Sequence, residues 1–349
     1  MRIAISTVKI PFIRGGAEIL AEGLLSALRK HGHEAEILTI PFKWYPPERI
    51  LDHMLACRLL DLTESEGKPI DLLIGLKFPA YLIEHPSKVM WLLHQHRQAY
   101  ELWDDSVAGD MIRHDRGIEV REAIRAADKA FIPKSRAVYT ISRNVSKRLK
   151  TFCNIDSEPL YHPPLEAETF YSEAAGNYYF FPSRILGTKR QELVVEALAK
   201  TRQPVRVTFA GLPNDPGYLA ALQERCERLR LDGRVEWLGS ISEADKRARY
   251  AQCLGVVYPP VDEDYGYVTL EAMLSSKAVI SCSDSGGPLE FIEHGATGLI
   301  TPPQPEALAE ALDTLWADRS RSVRLGVNGL ERYHAADVSW TSVVEKLLS

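Results

Sequence analysis

Residues 254–280 read LGVVYPPVDEDYGYVTLEAMLSSKAVI. The apolar run Leu254–Tyr258 is ended by two prolines, and a second run, Ala278–Ser281, follows a short polar turn. Runs of this length between turn residues predict strands covered on both faces. Between them lie a proline-started loop, Pro259–Gly266, and a predicted helix, Tyr267–Ser276, with Val268, Ala272 and Leu274 on its apolar side. Strand, loop, helix, strand is the unit from which parallel sheets are built.

The chemistry follows from the same stretch. Gly266 stands where loop becomes helix, so the backbone can approach a ligand there. The helix N-terminus at Gly266, Tyr267 and Val268 offers amide hydrogens and a partial positive charge, which suit a phosphate. Glu271, one turn in, can accept two hydrogen bonds at once, as the paired hydroxyls of a ribose require. Glu263, on the loop, is placed to reach hydroxyls of a second sugar. The same residues also fit a solvated acidic loop before an amphipathic helix, and spacing alone does not separate the two.

The chain of 349 residues has room for two ordinary domains. A net charge of −5 gives no electrostatic reason to expect nucleic-acid binding. Five scattered cysteines without a C-x-x-C pair argue for a reducing compartment and against a disulfide framework or zinc site. The N-terminus enters a strand directly, and no stretch approaches ~18 apolar residues, so neither a leader nor a membrane span is read.

The chain opens with a strand at Arg2–Thr7, a loop ending in Gly15-Gly16, a helix over about 17–31, and a strand at Glu34–Ile40. The glycine pair fits a tight turn or close ligand approach, and no dinucleotide or Walker fingerprint occurs. Strands are predicted at Asp71–Gly75, Val89–Leu93 and Ala137–Ile141. His94 follows the second of these, where open α/β sheets bind ligands. A lone histidine there is also a common structural hydrogen-bonder. His94-x-His96 lacks a third metal ligand in view. Tyr100, Trp103, Asp104 and Asp105 could line an acceptor groove, and an excess of Arg and Lys from Arg113 to Lys150 fits solvated helices or an anionic surface.

His162-Pro163-Pro164 marks a linker. The expected domains are 1–172, 173–334 and a last segment, 335–349. The second domain opens with a strand at Tyr178–Pro182, then Arg184 and Lys189-Arg190 before a helix at Gln191–Lys200. Such a basic pair fits either a surface turn or a diphosphate clamp. Gly211 ends the strand Val205–Ala210, where a base could lie. Gly295 and Gly298 read as turn residues only.

Glu263, seven residues, then Glu271-Ala272-Met273, resembles the signature of retaining glycosyltransferases of family 4. The continuation KAVISCSDSGGPLEFIEHGATGLITPPQPEALAEAL is similar to that family's, although the Gly286–Leu289 segment departs from its usual run and the first domain departs more. The resemblance implies a GT-B architecture: two facing Rossmann-like α/β domains with parallel sheets, and a C-terminal helix that crosses back to the first. It implies a retaining, metal-independent transfer from a nucleoside-diphosphate sugar, UDP- or GDP-linked, with no cofactor. The acceptor would be a glycan, a lipid-linked sugar or a small molecule. By resemblance Glu271 binds ribose, Arg184 and Lys189 the diphosphate, Glu263 the sugar hydroxyls, and Gly15 and Gly16 donor phosphate or acceptor. His94 would lie near the transferred sugar. The expected location is the cytoplasm, with or without peripheral contact at an anionic membrane. A nucleotide-sugar epimerase and a catalytically silent binding subunit on the same scaffold are the alternatives.

Overall fold

The computed structural model describes residues 1–12, 15–104 and 109–349. The chain divides into two compact units: Met1–Leu165 with Val338–Ser349, and Glu166–Asp337. The sequence reading put these divisions at 172 and 334.

The first unit runs β1 (Arg2–Lys9), α1 (Gly16–Lys30), β2 (Glu34–Pro41), α2 (Arg49–Leu59), a small hairpin of β3 (Glu64–Ser65) and β4 (Lys68–Pro69), β5 (Leu72–Gly75), β6 (Lys88–Leu92), α3 (Gly117–Phe131), β7 (Ala137–Thr140), α4 (Arg143–Cys153) and β8 (Glu158–Pro159). Its six-stranded sheet has the order β2-β1-β5-β6-β7-β8 and is parallel throughout. β5 and β6 are buried along their whole length, as strands covered on both faces must be.

The second unit runs β9 (Tyr179–Pro182), α5 (Gln191–Lys200), β10 (Val207–Ala210), α6 (Pro216–Arg228), β11 (Val235–Trp237), α7 (Glu243–Gln252), β12 (Gly255–Val257), α8 (Tyr267–Leu274), β13 (Ala278–Cys282), β14 (Gly298–Thr301), α9 (Pro305–Ala317) and α10 (Arg319–Ala335). Its strands are ordered β11-β10-β9-β12-β13-β14, again all parallel. The last helix, α11 (Trp340–Leu348), belongs to the first unit. Its Trp340 ring stands 6.2 Å from Trp91 and 5.7 Å from the buried His162.

Two sequence readings change. Gly298 is the first residue of β14, not a turn; a Cβ there would stand 2.2 Å from the Val279 carbonyl oxygen, so the edge strand can approach β13 only with glycine at that place. Helix α8 is not amphipathic: every residue from Val268 to Met273 is buried. α10 covers its outer side, with Gly329 against Met273 and Gly326 so close to Ser276 that a Cβ would lie 2.0 Å from its carbonyl oxygen. Among the described residues no helix is long and apolar enough to cross a membrane.

Candidate functional site

The strand order of the second unit reverses direction between β9 and β12. In doubly wound sheets the crevice at the carboxyl ends of two such strands is the place for a ligand. The segment after β9 carries Arg184 and Lys189; the segment after β12 carries Glu263. Topology thus brings together residues more than seventy positions apart.

The segment after β9 turns through Gly187–Lys189 and enters α5 at Arg190, which has a left-handed φ of 59°. Arg184 is exposed, its guanidinium 3.4 Å from Asn214 Oδ1. Lys189 is more enclosed and ion-pairs with Glu263. Its Nζ also donates to the Tyr258 hydroxyl at 3.1 Å. Burial, with the Glu263 charge behind it, holds the Tyr258 phenol neutral well above its ordinary range. Arg190 clamps Asp284 with two bonds of 2.7 and 2.6 Å, which hold that carboxyl below the usual carboxylate range.

Glu263 sits on a loop that is strapped to the turn after β13. Asp262 N donates to Asp284 O at 2.9 Å, Glu263 N to Ser285 O at 3.0 Å, and Gly287 N back to Glu263 O at 2.8 Å. Gly266 has a φ of 89°, and a Cβ there would lie 2.7 Å from Pro288 Cγ. Glycine is therefore needed at this joint for the loop itself, before any ligand is considered.

Beyond Gly266, Tyr267 and Val268 open α8, and Glu271 lies one turn in, buried. Both carboxylate oxygens of Glu271 are engaged from α7. Lys246 Nζ donates to Oε1 at 3.0 Å, and the Tyr250 hydroxyl to Oε2 at 2.7 Å. Lys246 also reaches Glu243 at 2.7 Å. Burial opposes the Lys246 charge, but the two carboxylates outweigh it and hold its pKa above the ordinary lysine value. Each carboxylate oxygen keeps acceptor capacity beyond these bonds, so the arrangement fixes Glu271 and leaves it able to take two hydroxyl donors.

Gly211 has a different reason from the one the sequence offered. Its φ is 145°, and a Cβ would stand 2.0 Å from Ser183 O. Its amide donates to Gly239 O at 2.8 Å. The glycine lets the segment leading to Arg184 pass close by.

In the first unit, Gly15 precedes α1 and its amide donates to Glu18 Oε2 at 2.8 Å, while Gly16 is the first helical residue. His94 follows β6, as expected. Its Nδ1 lies 2.5 Å from the Gln95 carbonyl, which only accepts, so the proton sits on Nδ1. The Gln95 side chain turns inward to Asp128 at 3.3 Å and Cys153 Sγ at 3.1 Å. Asp128 also accepts from Tyr81 and Tyr100 at 2.7 and 2.8 Å. Tyr100, read as a groove residue, instead points its hydroxyl into the core. His96 packs against Phe42 and Phe78, and burial drives its pKa down to about 3. Arg97 pairs with Glu101 at 2.5 Å, and Arg121 stacks 4.3 Å over Trp103. Asp105 lies outside the described residues. Among the described residues no three His, Cys, Asp or Glu side chains group as metal ligands would.

Sequence reading missed Lys246, Tyr250, Tyr258 and the Arg190–Asp284 clamp. Tyr258 was visible as the residue that ends a buried strand beside the acidic loop. Lys246 and Tyr250 carry no such signal, because a whole strand separates them from Glu271.

Comparison with solved structures shows the fold. The chain superposes over 99% of its length on 98% of a sucrose-phosphate synthase from Thermosynechococcus elongatus, with a TM-score of 0.79 and 20% identity. It superposes on Anabaena HepE, solved in complex with UDP and glucose, over 100% of both chains, with a TM-score of 0.70 and 18% identity. The fold is the GT-B fold that the signature implied. Residues 171–332, most of the second unit, match the family described as glycosyl transferases group 1. In sequence the chain is 30% identical over 138 residues to the alpha-1,3/1,6-mannosyltransferase of Dictyostelium discoideum, which covers 38% of this chain and 33% of that protein. The chain thus spans about a third of the length of that relative.

Proposed function

We propose that this protein transfers a sugar, with retention of anomeric configuration, from a nucleoside-diphosphate sugar to a hydroxyl of a glycan, lipid-linked or small-molecule acceptor. One observation carries the reading: at the β9/β12 switch point Lys189 and Glu263 meet, and in the helix that follows both carboxylate oxygens of Glu271 are fixed from α7 by Lys246 and Tyr250. Glu271 takes the ribose hydroxyls. Lys189 and Arg184 take the diphosphate, and Glu263 the hydroxyls of the sugar. The group 1 match and the mannosyltransferase and UDP-complex neighbours support a nucleotide-sugar donor, with UDP and GDP the two nucleotides to test.

In the reaction the anomeric C–O bond to phosphate breaks and the diphosphate leaves with the electron pair. The acceptor oxygen forms its bond on the same face and gives its proton to the departing phosphate. Lys189 and Arg184 neutralise the charge that develops there, so no metal is required in this reading. Loss of one such charge costs about 2–4 kcal/mol in the barrier. His94 is assigned near the transferred sugar through the family resemblance. The same reading puts the protein in the cytoplasm, with the basic segment 113–150 available to an anionic membrane surface.

The test is calorimetric titration with UDP, GDP, ADP, their common sugar conjugates and NAD, followed by transfer assays with and without EDTA. One nucleoside diphosphate should bind, its sugar conjugate should be slowly hydrolysed, and turnover should survive EDTA. Binding of none of the panel would sink the donor assignment and favour a silent subunit. Activity lost in EDTA and restored by a divalent cation would overturn metal independence.

A further inference from the structure

Resting on the donor-site reading, we propose that Lys189 and Glu263, braced by Tyr258, form an exchange pair that makes the site prefer the intact sugar nucleotide over the free nucleoside diphosphate. The pair is partly enclosed, with 13% of the Lys189 side chain and 24% of the Glu263 side chain exposed. A carboxylate in contact with that ammonium cancels much of the charge a diphosphate seeks.

The surroundings keep the pair together. Lys189 Nζ donates to the Tyr258 hydroxyl at 3.1 Å and lies 5.5 Å from its ring centre. Tyr258 is itself fixed. Its ring meets Phe181 edge-on at 5.9 Å, and its carbonyl accepts from Ser281 Oγ at 2.7 Å. The three backbone bonds that strap residues 262–263 to the turn after β13 hold the Glu263 main chain in place. The carboxylate can leave Lys189 only by side-chain rotation.

A free nucleoside diphosphate must therefore take Lys189 from Glu263 and leave a carboxylate facing added negative charge. An intact donor makes the same exchange but brings sugar hydroxyls, which donate to the released carboxylate. The two contacts are gained together or not at all. Once the sugar has moved to the acceptor, those hydroxyls are gone from Glu263. The carboxylate then competes with the diphosphate for Lys189 and helps to expel the product.

Glu263→Gln, by releasing Lys189, should tighten nucleoside diphosphate binding roughly three- to ten-fold. It should also lower the ratio of intact-donor to diphosphate affinity, and slow transfer. Glu263→Asp, which draws the carboxylate back by one methylene, should move diphosphate affinity the same way. The measurement is calorimetric titration of wild type and both variants with UDP and GDP and with their glucose and mannose conjugates, each protein first checked by thermal melting. Tighter diphosphate binding in either folded variant, with a reduced preference for the conjugate, supports the exchange pair. Wild-type binding with no tightening in the folded variants overturns it and leaves the donor site standing. Absence of wild-type binding to every ligand overturns both.

Discussion

The two units solve the same topological problem and spend their ionisable side chains differently. In the second unit the charged groups at the strand ends meet one another: Lys189 with Glu263, Arg190 with Asp284, Lys246 with Glu271. In the first, the histidine after β6 is held by a neighbouring carbonyl, and the carboxylate behind it, Asp128, is sealed among two tyrosines and a glutamine. The first pattern leaves lone pairs and charges that a ligand can take up by exchange. The second consumes its polar groups internally and stiffens the loop that carries His94. The difference teaches where to look for binding and where for stability.

The comparison breaks most readily at Glu271. If its carboxylate receives two ribose hydroxyls, Glu271→Ala removes two hydrogen bonds to a charged acceptor, each worth roughly 1.5–3 kcal/mol. Nucleoside diphosphate affinity should fall by about 4 kcal/mol, on the order of a thousand-fold. Lys246 keeps its contact with Glu243, so the fold should survive the change. Calorimetry decides, and equal binding by wild type and variant would remove the ribose assignment.

Asp128 sharpens the other side. Burial pushes its carboxyl up to about 6, against the opposing hydrogen bonds from Tyr81, Tyr100 and Gln95. Because the folded-state value lies above the unfolded one, the folded chain holds this proton more tightly. The stabilisation is complete below the unfolded pKa and is lost as pH rises from about 4 through about 6. Its ceiling is about 3 kcal/mol, from a shift of roughly two units. Urea denaturation of wild type and Asp128→Asn at pH 4 and pH 7.5 should show a stability difference that varies with pH by up to that amount. Nucleoside diphosphate binding should be unchanged. A pH-independent difference would return Asp128 to a plain hydrogen-bonding role.

The parts legible in the sequence were those written locally. Buried runs such as YYFFP and LGVVY announced strands, and the Glu263–Glu271 spacing announced the loop and helix between two of them. What stayed hidden was non-local. Helix α8 looked one-sided because nothing in its own eight residues says that α10 will cover it. Lys246 and Tyr250 lie on a surface-like helix, EADKRARYAQ, whose inward face is defined only once α8 packs beside it. Gly211, Gly266 and Gly298 read as turns or ligand contacts; their requirement is the approach of another backbone or side chain, which the three-dimensional fold alone supplies. The first unit offered least, since its Asp128 network joins the segments on either side of β6 to α3 and α4 through side chains that are unremarkable singly.

The smallest predicted effect tests how tightly the first unit closes around its last helix. Gly23 lies mid-way along α1, and a Cβ there would stand 2.3 Å from Trp340 Cζ2 on α11. Two terms oppose each other in Gly23→Ala. Alanine favours the helix by about 1 kcal/mol over glycine, while forcing an extra methyl into a filled contact costs about 1–3 kcal/mol. The ring is held by Trp91 and His162, so it has little freedom to retreat, and the second term should win by about 1 kcal/mol. The control is Trp340→Phe, which opens space: in that background Gly23→Ala should become neutral or stabilising, because only the helix term remains. Thermal melting of the four proteins reads the sign directly. If Gly23→Ala stabilises the unaltered chain, α11 yields to α1 more easily than the packing implies, and the first unit is the looser of the two.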